Sequence, residues 1–485
     1  MLKVKYRLKT LNSAVFIFML DEACIRTEFF MTPNKSKPAR NEQRSGGARK
    51  TKPFVDAKRP QVATQSIAAR RLEQVASALG EVLQWKHPAD LALTRWARNH
   101  PKIGSRDRSE IREAVFAVLR NLRLFRHYAE SGVGPSTRRL ALLGLSQVFE
   151  ADVLDSGLSA DERAWVTHIR TINPQSLSVG LRLSLPEWLE ARLQDIPESY
   201  KLMEAMNEQA TLDLRVNPMK AERDTVLRQL QGGSMARFKP VATPYSPWGI
   251  RIEGRPSVAV WPQYEKGELE IQEEGSQLLT ALVEPRRGEM VIDYCAGAGG
   301  KTLLLGALMR STGRLYAFDV SATRLNKAKP RFARAGLSNV VPVVIQEQGD
   351  QRVRRLHGKA HRVLVDAPCS GLGTLRRNPD LKWRQHPESL AQYVQLQADI
   401  LKQASVCVAP GGRLVYATCS FLAEENQAQV ERFLAENPDF QLLDARLILK
   451  DKAPELELED SYLILRTDKH NTDCFFAAVM ERKSA

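Results

Sequence analysis

Val291-Ile292-Asp293-Tyr294-Cys295-Ala296-Gly297-Ala298-Gly299-Gly300-Lys301-Thr302 runs from a buried-strand pattern into a glycine-rich turn, and the apolar spacing from Leu303 to Arg310 continues it as an amphipathic helix. Strand, glycine turn and helix in that order form the first unit of an open α/β sheet. The glycines let a ligand approach the backbone closely at the helix N-terminus. Gly300-Lys301-Thr302 ends like a phosphate-binding P-loop, but the place five residues before Gly300 holds Cys295 rather than glycine. The spacing is G-x-G-G, not the G-x-G-x-x-G of a dinucleotide site.

The pattern repeats downstream. Arg314-Leu315-Tyr316-Ala317-Phe318-Asp319 reads as a second strand ending in an acid about twenty residues past the glycines, from which a carboxylate accepts hydrogen bonds from ribose hydroxyls. An adenosine-type cofactor is indicated; the alternative for Asp319 is a cap on the helix beginning near Ala322. A third strand, Val340 to Ile345, leads into Gln346-Glu347-Gln348-Gly349-Asp350, where Glu347 or Asp350 is the candidate partner of an adenine amino group. Two further apolar runs each end in a cysteine, in Asp366-Ala367-Pro368-Cys369-Ser370-Gly371 and in Leu414-Val415-Tyr416-Ala417-Thr418-Cys419-Ser420. Two thiols at the ends of neighbouring strands lie where open sheets bind ligands, and they suggest covalent chemistry. Isolated cysteines are usually small core hydrophobes. That fits Cys407 and Cys474; Cys295 packs beside the glycine loop.

The 485 residues exceed one domain and predict two to four. Lys and Arg number 71 against 56 Asp and Glu, a formal charge of +15 that favours a polyanionic partner, nucleic acid first. The six cysteines form no C-x-x-C pair and no histidines cluster near them, so neither a disulfide framework nor a metal site is indicated. Reduced thiols predict a cytoplasmic location without membrane attachment. The apolar run Ser13 to Leu20 is short, ends in Asp21-Glu22 and lacks a cleavage site, so export is not expected.

Four units are predicted. Residues 1–60 are a basic, disordered segment. Residues 61–180 are helical, with helices over Ala68 to Leu83, Arg106 to Tyr128 and Arg138 to Val153. Residues 186–272 form a small α/β layer of RNA-recognition type with strands at Leu212 to Asn217 and Trp248 to Glu253; Arg215 there is a phosphate contact or an exposed strand residue, the latter favoured. Residues 273–485 carry the glycine loop and both cysteines. Within them Arg376, Arg377, Lys382, Trp383 and Arg384 make a basic loop suited to phosphate contact and base stacking, or else an ordinary solvated charge run.

Four strings in one order, Asp293 to Thr302, Asp366 to Gly371, Arg376-Arg377-Asn378-Pro379-Asp380-Leu381-Lys382-Trp383 and Tyr416 to Ser420, resemble the signature set of the Sun-type RNA cytosine-C5 methyltransferases. The likeness is strongest from Glu273 to Met480 and is greatest to the bacterial 16S ribosomal RNA branch, whose N-terminal domain is NusB-like. The resemblance implies an α/β architecture: a Rossmann-like S-adenosylmethionine-dependent methyltransferase domain preceded by a small α/β RNA-recognition-like domain and an all-α N-terminal domain. It implies S-adenosylmethionine held by Cys295, Ala296, Gly297, Ala298, Gly299, Gly300, Lys301, Asp319, Asp350 and Asp366, with Asp350 preferred to Glu347 for adenine. Relatives often carry proline where this chain has Ala298, and the stretch before Asp350 is longer than usual.

Carbon 5 of cytosine is a poor nucleophile until a thiolate adds at carbon 6. A second polar group then assists loss of the carbon 5 proton and release of the thiol. Sequence order does not assign the two thiols; the resemblance implies Cys419 as nucleophile, Cys369 as release helper, and Asp366 binding both the cytosine near nitrogen 3 and the methionine end of the cofactor. Ribosomal RNA is the expected partner, for a monomeric enzyme without metal. Transfer RNA, or a non-catalytic RNA-binding assembly factor of the same fold, are the alternatives.

Overall fold

The computed structural model describes residues 65–346 and 349–484. The run Ser13 to Leu20, the basic segment to Pro60 and Glu347 lie outside the described residues.

The N-terminal part is helical because its apolar residues recur every three or four positions and local caps close the ends. In the helix Ile67–Val82, Ser66 accepts from Ala69 N at 3.1 Å, and Leu72, Val75, Leu79 and Val82 are buried. Its neighbours are Ala89–Asn99, Ser105–Arg120, Leu122–Ala129 and Ser136–Leu145, and all share one core with Trp96, Ile111, Leu119 and Leu142. Two expected helices are shorter than predicted. The Arg106 to Tyr128 pattern breaks at Asn121, whose φ of −110° and ψ of 22° end one helix and start the next. The Arg138 to Val153 pattern stops after Leu145, and a separate short helix covers Ala151–Asp155.

Strand β1 (Leu212–Val216) is central to a four-stranded antiparallel sheet with β2 (Val241–Ala242), β3 (Gly249–Ile252) and β4 (Leu269–Ile271), in the order β2-β3-β1-β4. The helix Arg223–Gly232 closes its core through Val226 and Leu230. This is the small α/β layer expected from the alternation at Leu212 to Asn217.

The larger sheet holds β5 (Met290–Asp293), β6 (Arg314–Asp319), β7 (Val340–Val344), β8 (Ala360–Asp366), β9 (Val408–Thr418), β10 (Phe440–Leu443), β11 (Leu463–Leu465) and β12 (Phe475–Arg482). The order is β10-β12-β9-β8-β5-β6-β7, with β11 beside β12; β7 through β9 run parallel, and β12 is antiparallel to its neighbours. Strands such as Val363-Leu364-Val365 are apolar throughout because helices cover both faces. The direction of strand succession reverses between β5 and β8. The glycine loop leaves β5 and the Cys369 turn leaves β8, so both lie at the switch point, where such sheets bind ligands.

The basic loop after Cys369 is neither an RNA-stacking platform nor a solvated run. Lys382 is 1% exposed and donates to Arg120 O at 2.8 Å and Asn207 Oδ1 at 2.9 Å; Trp383 Nε1 donates to Leu119 O at 2.7 Å. Leu119 and Arg120 end the Ser105–Arg120 helix, so these side chains satisfy last-turn carbonyls that have no partner within the helix. Asp380 accepts from Ala89 N at 3.1 Å, and Arg377 pairs with buried Asp473 at 2.6 Å. The loop therefore fastens the catalytic sheet to the helical domain. Burial, reinforced by Arg120, pushes the Lys382 amine down to about 7.

Candidate active site

At the end of β5, Gly297 and Gly299 adopt positive φ of 55° and 84°, turning the chain into the helix Gly300–Leu308. The turn is held from two sides. Asp319, at the end of β6, accepts from Gly297 N at 2.8 Å and from Ser321 N at 2.7 Å. The cap of the following helix is Ser321, which accepts from Arg324 N, so Asp319 is not the capping side chain. Arg215 is 2% exposed and donates to Gly300 O at 3.0 Å. This overturns both sequence readings of Arg215: it faces neither solvent nor phosphate but reaches from β1 to brace the loop of the other sheet. Burial lowers its pKa to about 10.

The loop is electrostatically acidic at its base. Asp293 is buried, accepts from Thr302 Oγ1 at 2.6 Å, and keeps a second oxygen, Oδ1, without a hydrogen-bond partner. Burial raises its pKa to about 7, and Asp366 and Asp319 add to the rise. Lys301 answers from the helix start, with Nζ 2.5 Å from Asp366 Oδ2. Burial and the same three acids push the Cys295 thiol well above its ordinary range. Three carboxyl groups and an orphaned buried oxygen beside an open glycine turn fit a cofactor bearing positive charge.

The two thiols meet. Cys369 Sγ and Cys419 Sγ are 3.4 Å apart, both partly accessible, at the ends of adjacent strands β8 and β9. Asp366, three residues before Cys369, brings the Lys301 contact to the same sheet edge. Gly373 packs its backbone against the end of β9. It donates to Cys419 O at 2.9 Å, and a Cβ built there would lie 2.7 Å from that oxygen.

Sequence reasoning missed the group that holds this pair. Glu425, fully buried, accepts from Ser370 N at 2.8 Å, Ser370 Oγ at 2.5 Å and Ser420 Oγ at 2.5 Å, so one carboxyl group ties together the residues following each cysteine. Gln397 Nε2 donates to Glu425 Oε1 and to Pro368 O, both at 3.0 Å, and Asn426 Nδ2 donates to Ser420 O at 3.0 Å. In the sequence Glu425 looks like an ordinary acid in a helix's first turn. The only hint is the serine after each cysteine.

Asp350, after β7, is hydrogen-bonded within its own turn. Its Oδ1 accepts from Arg352 N and Nε, and its Oδ2 from Gln346 N and Arg352 Nη2. Asp350 thus also caps the short helix Gln351–Arg354. The Arg352 hydrogen bonds hold its pKa well below the usual carboxylate range.

Among the described residues no helix is long and apolar enough to cross a membrane, and no group of three or more His, Cys, Asp or Glu is placed to hold a metal. Residues 280–481 match the family described as 16S rRNA methyltransferase RsmB/F, and residues 185–259 match the ferredoxin-like domain of RsmF/B-like methyltransferases. A probable ribosomal RNA small subunit methyltransferase B of Synechocystis is 30% identical over 387 residues, 72% of this chain and 86% of the relative. A ribosomal RNA small subunit methyltransferase B of Klebsiella pneumoniae is 35% identical over 53% of this chain and 59% of its own length. A solved methyltransferase homolog from Pyrococcus horikoshii superposes with a TM-score of 0.54 at 27% identity, covering 64% of this chain and all of its own.

Proposed function

Since this chain belongs to the RsmB/F family of 16S rRNA methyltransferases, we propose that it methylates carbon 5 of a cytosine in 16S ribosomal RNA through a covalent cysteine adduct. The observation that carries this reading is the 3.4 Å contact between Cys369 and Cys419 at the sheet's switch point, beside the Lys301–Asp366 pair. A single strand-end thiol would serve many chemistries. Two thiols able to touch the same ring suit a reaction that must both form and break a carbon–sulfur bond.

S-Adenosylmethionine is the cofactor, and when bound it supplies an electrophilic methyl group on a positively charged sulfur. The backbone of Cys295, Ala296, Gly297, Ala298, Gly299 and Gly300 would line one side of it, Asp319 would take the ribose hydroxyls, and Asp293 and Asp366 would face its positive charges. Cys419 adds as thiolate to carbon 6 of cytosine, making carbon 5 nucleophilic. Asp366, oriented by Lys301, hydrogen-bonds the ring near nitrogen 3. After carbon 5 has been methylated, Cys369, as thiolate, accepts its proton; the electron pair restores the 5,6 double bond, and the Cys419 sulfur leaves carbon 6 as thiolate. A target base in a stem must leave its stack to reach these groups, so partly open or unassembled RNA is the easier substrate.

Bisulfite sequencing of total RNA from cells with and without the gene tests the reading. One 16S cytosine protected only when the gene is present is expected; unchanged cytosines throughout would refute it.

Two local predictions follow from the geometry. Asp319→Ala removes the carboxyl that holds Gly297 N, and cofactor affinity should fall about tenfold or more, as for loss of a charged hydrogen bond. RNA affinity should hold. An unchanged cofactor affinity in a calorimetric titration would contradict the ribose assignment. Glu425→Ala leaves both serine hydroxyls without their shared acceptor, so it should lower stability by about 3 kcal/mol. By letting the thiols drift, it should also lower kcat about 100-fold. A variant with normal kcat would show that the pair keeps its spacing without Glu425.

A further inference from the structure

A cleft opens between the helical domain and the small sheet. It encloses about 240 Å³ and is lined by Arg112, Glu113 and Arg120 of the Ser105–Arg120 helix, by Asn207 and Gln209 just before β1, and by Arg255 just after β3. That volume is several times the ~30 Å³ share of a water molecule, too large for a packing gap. Its lining is lopsided in charge: three guanidinium groups, with Glu113 the sole carboxyl.

Arg120 is held but not neutralised. Arg120 donates from Nη2 to Arg376 O at 2.8 Å, while its Nε is buried without a hydrogen-bond partner. Among the described residues none of the three arginines has an ion-pair partner within 4.0 Å. Burial lowers Arg120 and Arg255 to about 10 each; Arg255 acts on Arg120 and Arg112 and Arg377 act on Arg255 in the same direction, with Asp90 and Glu113 opposing more weakly at Arg255. Groups with those values are still charged at neutral pH. Like charges turned toward one space, short of carboxyl partners, are destabilising until an anion enters.

We propose that this cleft binds a phosphodiester group of the substrate RNA, gripped by Arg112, Arg120 and Arg255. The guanidinium fork matches phosphate oxygens bidentately, and Gln209 at the exposed mouth suits an adjoining ribose hydroxyl. Two of the lining residues are fastened to the loop that begins at Cys369, since Lys382 donates to Arg120 O and Asn207 Oδ1. One RNA strand touching the cleft would therefore be registered against the thiols through a rigid connection. The arginines come from two domains, so the site exists only when helical domain and small sheet are docked. This inference rests on RNA being the substrate.

The test uses the full chain and an unmodified 16S rRNA transcript, with Kd measured across a series of salt concentrations. Arg255→Gln should weaken binding about tenfold, as for a lost charge-assisted hydrogen bond, and should lower the slope of log Kd against log salt by about 1. The Arg112→Glu and Arg255→Glu double variant should weaken binding and lower the slope further, with cofactor affinity unchanged and the melting temperature no lower than the parent's. If Arg255→Gln melts like the parent and keeps its Kd and slope, the proposal is overturned. It is equally overturned if inorganic phosphate protects the cleft while the RNA slope stays the same, because the cleft would then be a free-anion site. Failure of the functional reading looks different: the parent would bind the transcript with a steep salt slope yet transfer no methyl group.

Discussion

Replacing Cys419 by alanine should abolish methyl transfer, lowering kcat by about 10⁴-fold or more, the scale seen when an enzyme's nucleophile is removed. The expectation follows from the thiol's position. Cys419 ends β9 at the central part of the sheet, is partly accessible, and lies 3.4 Å from a second thiol on β8. Without its sulfur the group assigned to saturate carbon 6 is gone, and carbon 5 stays unreactive. The variant should bind the cofactor and RNA as the parent does, since neither the glycine loop nor the basic cleft is touched. Single-turnover assays with labelled S-adenosylmethionine measure this directly. Residual transfer within tenfold of the parent would mean that another group attacks.

Replacing Cys369 by alanine should have the opposite signature: the RNA becomes stuck to the protein. Attack and methylation do not need Cys369, but loss of the carbon 5 proton does, and removing a positioned base typically costs about 10²–10⁴ in rate. A long-lived protein–RNA species should therefore accumulate on denaturing gels in the presence of natural, unsubstituted RNA. Turnover should fall while the first methyl transfer stays fast. If instead Cys419→Ala accumulates the adduct and Cys369→Ala forms none, the two roles are exchanged. The Glu425 clamp bears on both outcomes, because it holds Ser370 and Ser420 and with them the spacing of the thiols.

Much of the site was legible because its parts are local. The glycine turn, the acid at the end of β6 and the two cysteines each sit at a strand end, and parallel strands covered on both faces announce themselves as short apolar runs. What could not be read depends on distant partners. Lys382 and Trp383 look like an RNA-facing pair, yet they close the carbonyl end of a helix some 260 positions earlier in the chain, at Leu119 and Arg120. Arg215 looks like a surface strand residue, yet its acceptor is Gly300 O in another sheet. Glu425 passes unremarked in the sequence, yet it ties together the residues that follow the two cysteines. Residue type told which groups are charged; only the fold told which charges were already satisfied.

The central claim is that one particular sulfur bonds to cytosine. Incubating the parent protein and cofactor with 16S transcript containing 5-fluorocytidine blocks proton loss at carbon 5 and should leave a stable adduct, whose attached peptide can be sequenced by mass spectrometry after digestion. Attachment at Cys419 is the result this account predicts. Attachment at Cys369, or no adduct from a protein that still methylates unsubstituted transcript, would contradict it.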